Sequence, residues 1–263
     1  MNLNFTYPVK INDRVFFVKE LSFYNYKNFI KSLLVKDIET LDSTFNKLLS
    51  SVCSENIDTL NNLEKFLLLL KIRATTVGES IEITLPNKKV NVSINKIFSE
   101  LHNQVPYYVY ESDGIVYHFG LPFSFIPHSN VFSLAIDCMY SINGTVLDNK
   151  VKVELADNLP ALPLSEICVG ISKNFETVQT EIPHIQTVLT PFNNSFIDFL
   201  TSIFSYDLNS FYNLEYVLRK SLNLHAEDFN VLSLQECEIL LRNYKEELLE
   251  AEKASKEKDG LSL

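Results

Sequence analysis

In the stretch "RATTVGE", Arg73, Gly78 and Glu79 lie close together where the chain changes character, and two kinds of chemistry are open to them. Arg73 and Glu79 could present a paired charge to a partner protein. Alternatively, Arg73 stands in the last turn of an apolar helix, where a cation complements exposed carbonyls, and Gly78 supplies backbone freedom as helix gives way to strand. Gly78 is a structural joint on either reading. Other reactive side chains are dispersed. The five histidines follow no H-E-x-x-H or other metal spacing, although His118 and His128 could meet across a loop. Cys53, Cys138, Cys168 and Cys237 form no C-x-x-C pair and read as buried free thiols. The six glycines are too far apart for a phosphate-cradling loop, and no G-x-S-x-G elbow occurs. Most carboxylates fall on helix faces, as Glu238 does four residues before Arg242. The expectation is therefore no enzyme, no metal and no cofactor, with a hydrolase built on the scattered histidines and cysteines as the outlying alternative.

The elements that must position these residues are helices interrupted by hairpins. "TYPVKINDRVFFVKEL" alternates on either side of Asn12-Asp13, a hairpin signal. Helical spacing then links Phe23, Tyr26, Ile30 and Leu33; next Leu41, Phe45, Leu48 and Val52; then Leu60, Leu63, Leu67 and Leu70, with Asp58 as the cap of this third helix. Phe66, Leu68 and Leu69 make it apolar nearly all round, as for a helix clasped by its neighbours. Past Gly78 the period becomes two: Ile81, Ile83 and Leu85 mirror Val90, Val92 and Ile94 in a hairpin over 79–95. At its tip, "PNKK", Lys88 and Lys89 are the nearest approach to a basic patch and candidate partner contacts. A second hairpin is predicted at Asp113-Gly114, a weaker one at Asp148-Asn149, and "GLPFSFIPHSN" is a loop. After Pro163 helices return, one through Ile167, Ile171, Phe175 and Val178, another through Phe196, Phe199, Leu200 and Ile203. The last opens on a Ser233/Glu236 capping box and carries the stripe Leu234, Cys237, Leu241, Tyr244 and Leu248. Leu241, Tyr244 and Leu248 could serve a partner helix as well as the core, and the charged tail "EAEKASKEKDGLSL" is expected to fray. The fold class is α+β, mainly helical with β-hairpins. Three segments are expected: a helical amino-terminal domain over 1–105 bearing the protruding hairpin, a β-rich middle over 106–163, and a helical carboxy-terminal domain over 164–263.

Composition sets the function classes. In 263 residues, 46% hydrophobic content suffices for one large core or two modest ones. A net charge of −10 repels a phosphate backbone, so nucleic acid is not an expected partner. The aliphatic run ending at Leu70 falls far short of the ~20 residues that span a bilayer. With no charged-then-apolar leader in "MNLNFTYPVKINDR", a soluble cytoplasmic protein is expected.

Two longer stretches, "VFFVKELSFYNYKNFIKSLL" and "LEKFLLLLKIRATTVGESIEIT", resemble the baseplate hub assembly family of T4-type contractile-tailed phages. That family has a strand followed by "VKE" and a helix, then a leucine-rich helix running into an "LR-x-x-S-V-G-E" turn. The matching positions are Val18, Lys19 and Glu20, then Ile72, Arg73, Thr76, Val77, Gly78 and Glu79. "GIVYHFGLP", "AIDCMYSI", "ISKNFETVQTEIPHI" and "LSLQECEILLRNYKEELLE" extend the likeness more faintly over nearly the whole chain. Some relatives carry paired cysteines in the hairpin after the glycine, where this sequence has "LPNKK". The resemblance implies a non-enzymatic protein of virion assembly that binds other baseplate hub proteins and the tape-measure protein in the host cytoplasm. It implies either a hub assembly protein or subunit, or a tail chaperone for the tape-measure protein that is absent from the mature virion. It leaves the oligomeric state open.

Overall fold

The computed structural model describes residues 6–34, 37–85, 88–104, 106–128, 130–147, 151–152, 154, 161–182, 187–204 and 208–260. Strands β1 (Thr6–Ile11) and β2 (Arg14–Lys19) pair antiparallel about Asn12, whose φ of 54° an asparagine tolerates. Val9, Ile11, Phe16 and Val18 alternate onto the buried face, and Pro8, Lys10, Val15 and Phe17 face outward. Helices α1 (Phe23–Ser32) and α2 (Ile38–Val52) follow, capped by Ser22 and Asp37. Helix α3 (Asn62–Val77) is capped by Asn61, with Glu64 completing a capping box. Asp58, expected as that cap, lies instead in a 3-10 turn over Ile57–Thr59. The reason is reach: a capping side chain must accept from the third helical residue, and Asn61 is the residue that stands at that distance.

Leu63, Phe66, Leu67, Leu68, Leu69, Leu70 and Ile72 are all buried, so α3 has no solvent face in its middle turns. The hairpin that grows from it comprises β3 (Ser80–Leu85) and β4 (Lys88–Ser93), and its tip at Pro86-Asn87 lies outside the described residues. The expected strand is cut short, because Ile94 opens helix α4 (Ile94–Leu101) rather than closing the hairpin. Ser93 caps it through the Lys96 amide. Ile94 satisfies both periods, ending the alternation from Val90 and starting the helical set Ile94, Ile97 and Leu101.

The middle of the chain builds a four-stranded antiparallel sheet, β5 (Tyr108–Ser112), β6 (Ile115–Phe119), β7 (Met139–Ile142) and β8 (Thr145–Val146), in that order. Positive φ at Asp113 and Gly114 makes the expected turn between β5 and β6. Helix α5 (Val131–Cys138) precedes β7 directly. The hairpin expected at Asp148-Asn149 lies outside the described residues; β8 returns along β7 through Asn143-Gly144, and Val151 and Lys152 are helical. Asn-Gly is the stronger signal for such a turn because both its residues accept positive φ.

The remaining elements are α6 (Ala161–Phe175), the pair β9 (Thr180–Ile182) and β10 (Thr187–Leu189), α7 (Ser195–Phe204), α8 (Leu208–Leu222) and α9 (Leu234–Gly260). Val178 is buried but lies past the end of α6, in a turn whose amide returns to the Phe175 carbonyl. A Cβ at Gly170 would run into the Tyr108 ring, so glycine there lets α6 lie against β5. Residues of all three expected segments contribute to one core around α3, which touches β1, β2, α2, α4, α7 and α9. Phe66 stacks on Phe196 of α7 with ring centroids 4.0 Å apart, and Phe23 of α1 packs on Phe211 and Phe229 at 5.1 and 5.2 Å. The fold class is α+β, as the periodicities indicated.

Candidate functional site

At the joint, Arg73 serves both the end of its own helix and the end of a distant one. Its side chain is buried, with Nε donating to the Ile203 carbonyl at 2.7 Å and Nη1 to the Gly78 carbonyl at 3.0 Å. Ile203 stands in the last turn of α7, so one guanidinium fork holds two chain ends that no local pattern links. Glu79 is exposed, and its carbonyl accepts the Ile94 amide at 3.0 Å. The guanidinium thus turns inward beside a glutamate that faces solvent. Gly78 has φ 122° and ψ 162°, a region essentially confined to glycine, while its amide closes α3 on the Ala74 carbonyl. A Cβ there meets nothing within 4 Å, so Gly78→Val is expected to cost about 1–3 kcal/mol through backbone strain alone. Urea unfolding measures it, and an unchanged midpoint would contradict the strain.

On the hairpin, Lys89 pairs with Glu82 at 2.7 Å, an exposed ion pair. Lys88 opens β4 opposite Leu85, and its side chain lies outside the described residues. The last helix divides its stripe. Leu234 and Cys237 are fully buried, Leu240 and Leu241 pack partly on the core, and Tyr244 is half-buried. Leu248 and Leu249 are then 46% and 56% exposed. A helix of 27 residues is about 40 Å long, and only its first half has the body of the protein beside it. An apolar groove of about 1100 Å³ runs between α5 and α6, lined by Phe132, Leu134, Leu164, Val169 and Phe192.

A charged cleft of about 810 Å³ was not foreseen from the sequence. Its walls carry Arg14, Asp42, Asp58, Lys65, Asp137 and Lys152 around the Phe123 ring. Several of these side chains hold the "GLPFSFIPHSN" loop. Asp137 Oδ2 accepts the amides of Phe123 and Ser124 at 3.1 and 3.3 Å and lies 3.2 Å from His128 Nε2. Asp42 Oδ1 accepts the Phe125 amide at 2.9 Å, and Lys65 Nζ donates to the Phe123 carbonyl at 2.8 Å. Burial holds the ammonium pKa of both Lys65 and Lys152 below the usual lysine range. His128 meets Asp137, whereas His118 sits in β6 opposite Ser141. One sequence signal was available: Lys65 lies in "LEKFLLLLK", on a helix with apolar residues all round, where a lysine needs an acceptor inside the fold.

The four cysteines form no disulfide, and three of them are buried and Cys53 half-buried. Burial, reinforced by Glu55, pushes the Cys53 thiol up to about 11; burial, with Glu236 and Glu238, pushes Cys237 up to about 12. Burial raises Cys138 and Cys168 in the same direction. Thiols so placed are poor nucleophiles near neutral pH. A raised folded pKa contributes stability that is full below the unfolded value, near 9.0, and is lost as pH climbs through the folded one. Lys65 and Lys152 act with the opposite sign below 10.5. The thiol contribution is isolated by comparison with Cys237→Ala: the stability advantage of the unaltered protein is expected to narrow as pH rises from 9 toward 12. Thermal melting across that range checks it, and a constant advantage would refute it.

Among the described residues no three His, Cys, Asp or Glu side chains are grouped to hold a metal ion, and no helix is long and apolar enough to cross a membrane. What the geometry defines is an α+β protein whose concave surfaces include an apolar groove and a charged cleft, with a long last helix leaving its body. The chain belongs to the family of T4 bacteriophage base plate proteins, whose family model matches residues 2–185. It is accordingly a structural or assembly protein of the phage tail baseplate. Comparisons with curated proteins and with solved structures gave no match. The matched region contains the joint, the hairpin and the cleft, while α7, α8 and α9 lie beyond it. Arg73, inside the match, therefore binds a carbonyl outside it.

Proposed function

We propose that this chain is a non-enzymatic baseplate hub protein, an assembly factor or a subunit of the hub, that works by protein–protein binding in the host cytoplasm. The observation that carries this reading, beside family membership, is α9. Its apolar stripe continues through Tyr244 to Leu248 and Leu249 after the core has ended, on a helix whose other faces are charged. A stripe of that spacing suits packing against another helix. Raised thiol pKa values favour a binding role over hydrolysis by a cysteine nucleophile. The same helix favours a second reading, a chaperone that shields the helices of the tape-measure protein and leaves before maturation. Mass spectrometry of purified virions separates the two, because a hub subunit is expected at fixed copy number and a chaperone not at all. Co-purification assigns the partner. Recovery with hub proteins when the tape-measure protein is absent supports the first reading, and recovery only with the tape-measure protein overturns it in favour of the second.

A further inference from the structure

Lys152 is only 4% exposed, lies in a wall of the charged cleft, and has no hydrogen-bond acceptor among the described residues. Its Nζ sits 4.3 Å from the centroid of the Phe123 ring, which lines the same cleft. An ammonium group has three donors, and burying it without an acceptor is costly. Two of the three carboxylates in the cleft, Asp137 and Asp42, are already engaged. Asp137 serves the Phe123 and Ser124 amides, while Asp42 serves the Phe125 amide and the Asn46 side chain. The other two cations are also committed, Lys65 to the Phe123 carbonyl and Arg14 to Glu64. The cleft thus combines acceptors turned to the backbone with one ammonium left without an acceptor. Beside it, Tyr140 and Val146 are 49% and 61% exposed and add apolar surface.

We propose that this cleft receives a carboxylate from a partner protein, an Asp or Glu side chain flanked by apolar residues, with the carboxylate on Lys152 Nζ and its neighbours against Phe123, Tyr140 and Val146. A carboxylate suits the cleft better than a phosphate. Asp42, Asp58 and Asp137 face the same space, and a second negative charge would meet them with one uncommitted ammonium to offset it. That the carboxylate belongs to a protein rests on the binding function proposed above; the chemistry of the cleft does not.

The test is NMR titration of the isotopically labelled full chain with a leucine–glutamate–leucine peptide blocked at both ends, its glutamine counterpart, and inorganic phosphate. The glutamate peptide is expected to shift the Lys152 and Phe123 resonances saturably, and the glutamine peptide to bind at least about tenfold more weakly. Lys152→Met is expected to melt as the unaltered protein does and to weaken the glutamate peptide by a similar factor. Equal binding of the two peptides, no binding of either, or full binding by a folded Lys152→Met variant would overturn the proposal. Saturable binding of phosphate alone would also overturn it, assigning the cleft to free oxyanions. The glutamate–glutamine comparison uses the unaltered chain and stands even if Lys152→Met does not fold. Virion mass spectrometry is independent of these titrations, so the hub reading and the cleft can fail separately.

Discussion

Arg73→Ala is expected to destabilise the protein by about 3 kcal/mol or more, exceeding the strain cost at Gly78. At least two hydrogen bonds from a buried cation are lost, and the Ile203 and Gly78 carbonyls they served keep no replacement from alanine. Each such bond contributes about 1.5–3 kcal/mol when the donor is charged, and burial here leaves little room for water to substitute. A cation that merely faced its own helix end would be worth about 0.3–1 kcal/mol, so the magnitude discriminates between the two roles. Arg73→Lys retains the charge but not the fork that reaches two carbonyls at once, and is expected to recover less than half of the loss. Urea unfolding at neutral pH measures all three proteins. A cost below about 1 kcal/mol for Arg73→Ala would show that the brace is redundant and return the residue to the helix-end role.

Arg73 also marks where sequence reasoning stops. The turn at Gly78 was legible because helical and alternating periods meet there, and the hairpins at Asn12 and Asp113-Gly114 because those residues tolerate positive φ. The Ser233/Glu236 box was legible because its two bonds are local, and both form, at 2.7 and 3.2 Å. The acceptor of Arg73 lies 130 residues away in α7, and no short-range pattern names it. Helix α8 escaped for a different reason: Phe211, Leu214 and Leu218 carry its buried stripe, but the exposed Tyr212 and Tyr216 blur it. The cleft was hidden because Arg14, Asp42, Lys65, Asp137 and Lys152 come from separate elements that only the fold brings together. Family resemblance was readable from "VKE" and "RATTVGE", in the part of the chain that the family match covers. Nothing in those motifs specifies what the last three helices do.

Two truncations of the last helix are expected to have opposite effects. Ending the chain before Ser233 removes the fully buried Leu234 and Cys237, the partly packed Leu240 and Leu241, and the Ser22–Ser233 bridge beside the start of α1. Burial of a leucine is worth about 1.5–3 kcal/mol, so losing this set is expected to cost roughly 5 kcal/mol, a large fraction of the stability of an ordinary domain. Since α9 touches α1, α3 and α8, the damage should reach the amino-terminal helices and abolish cooperative melting. Ending the chain after Lys245 keeps every one of those contacts and removes Leu248 and Leu249, both about half exposed. Melting is then expected to shift by no more than the ~0.5 kcal/mol typical of surface changes. If the outer half of α9 grips a partner helix, this shorter protein should fold but fail to co-purify with hub or tape-measure proteins. Leu248→Glu in the full chain should reproduce the loss, because a carboxylate in a helix–helix seam is costly while the same group in water is not. A chain ending after Lys245 that melts normally and still recovers its partners would remove α9 from the binding surface; one that fails to melt cooperatively would place its outer half in the core after all.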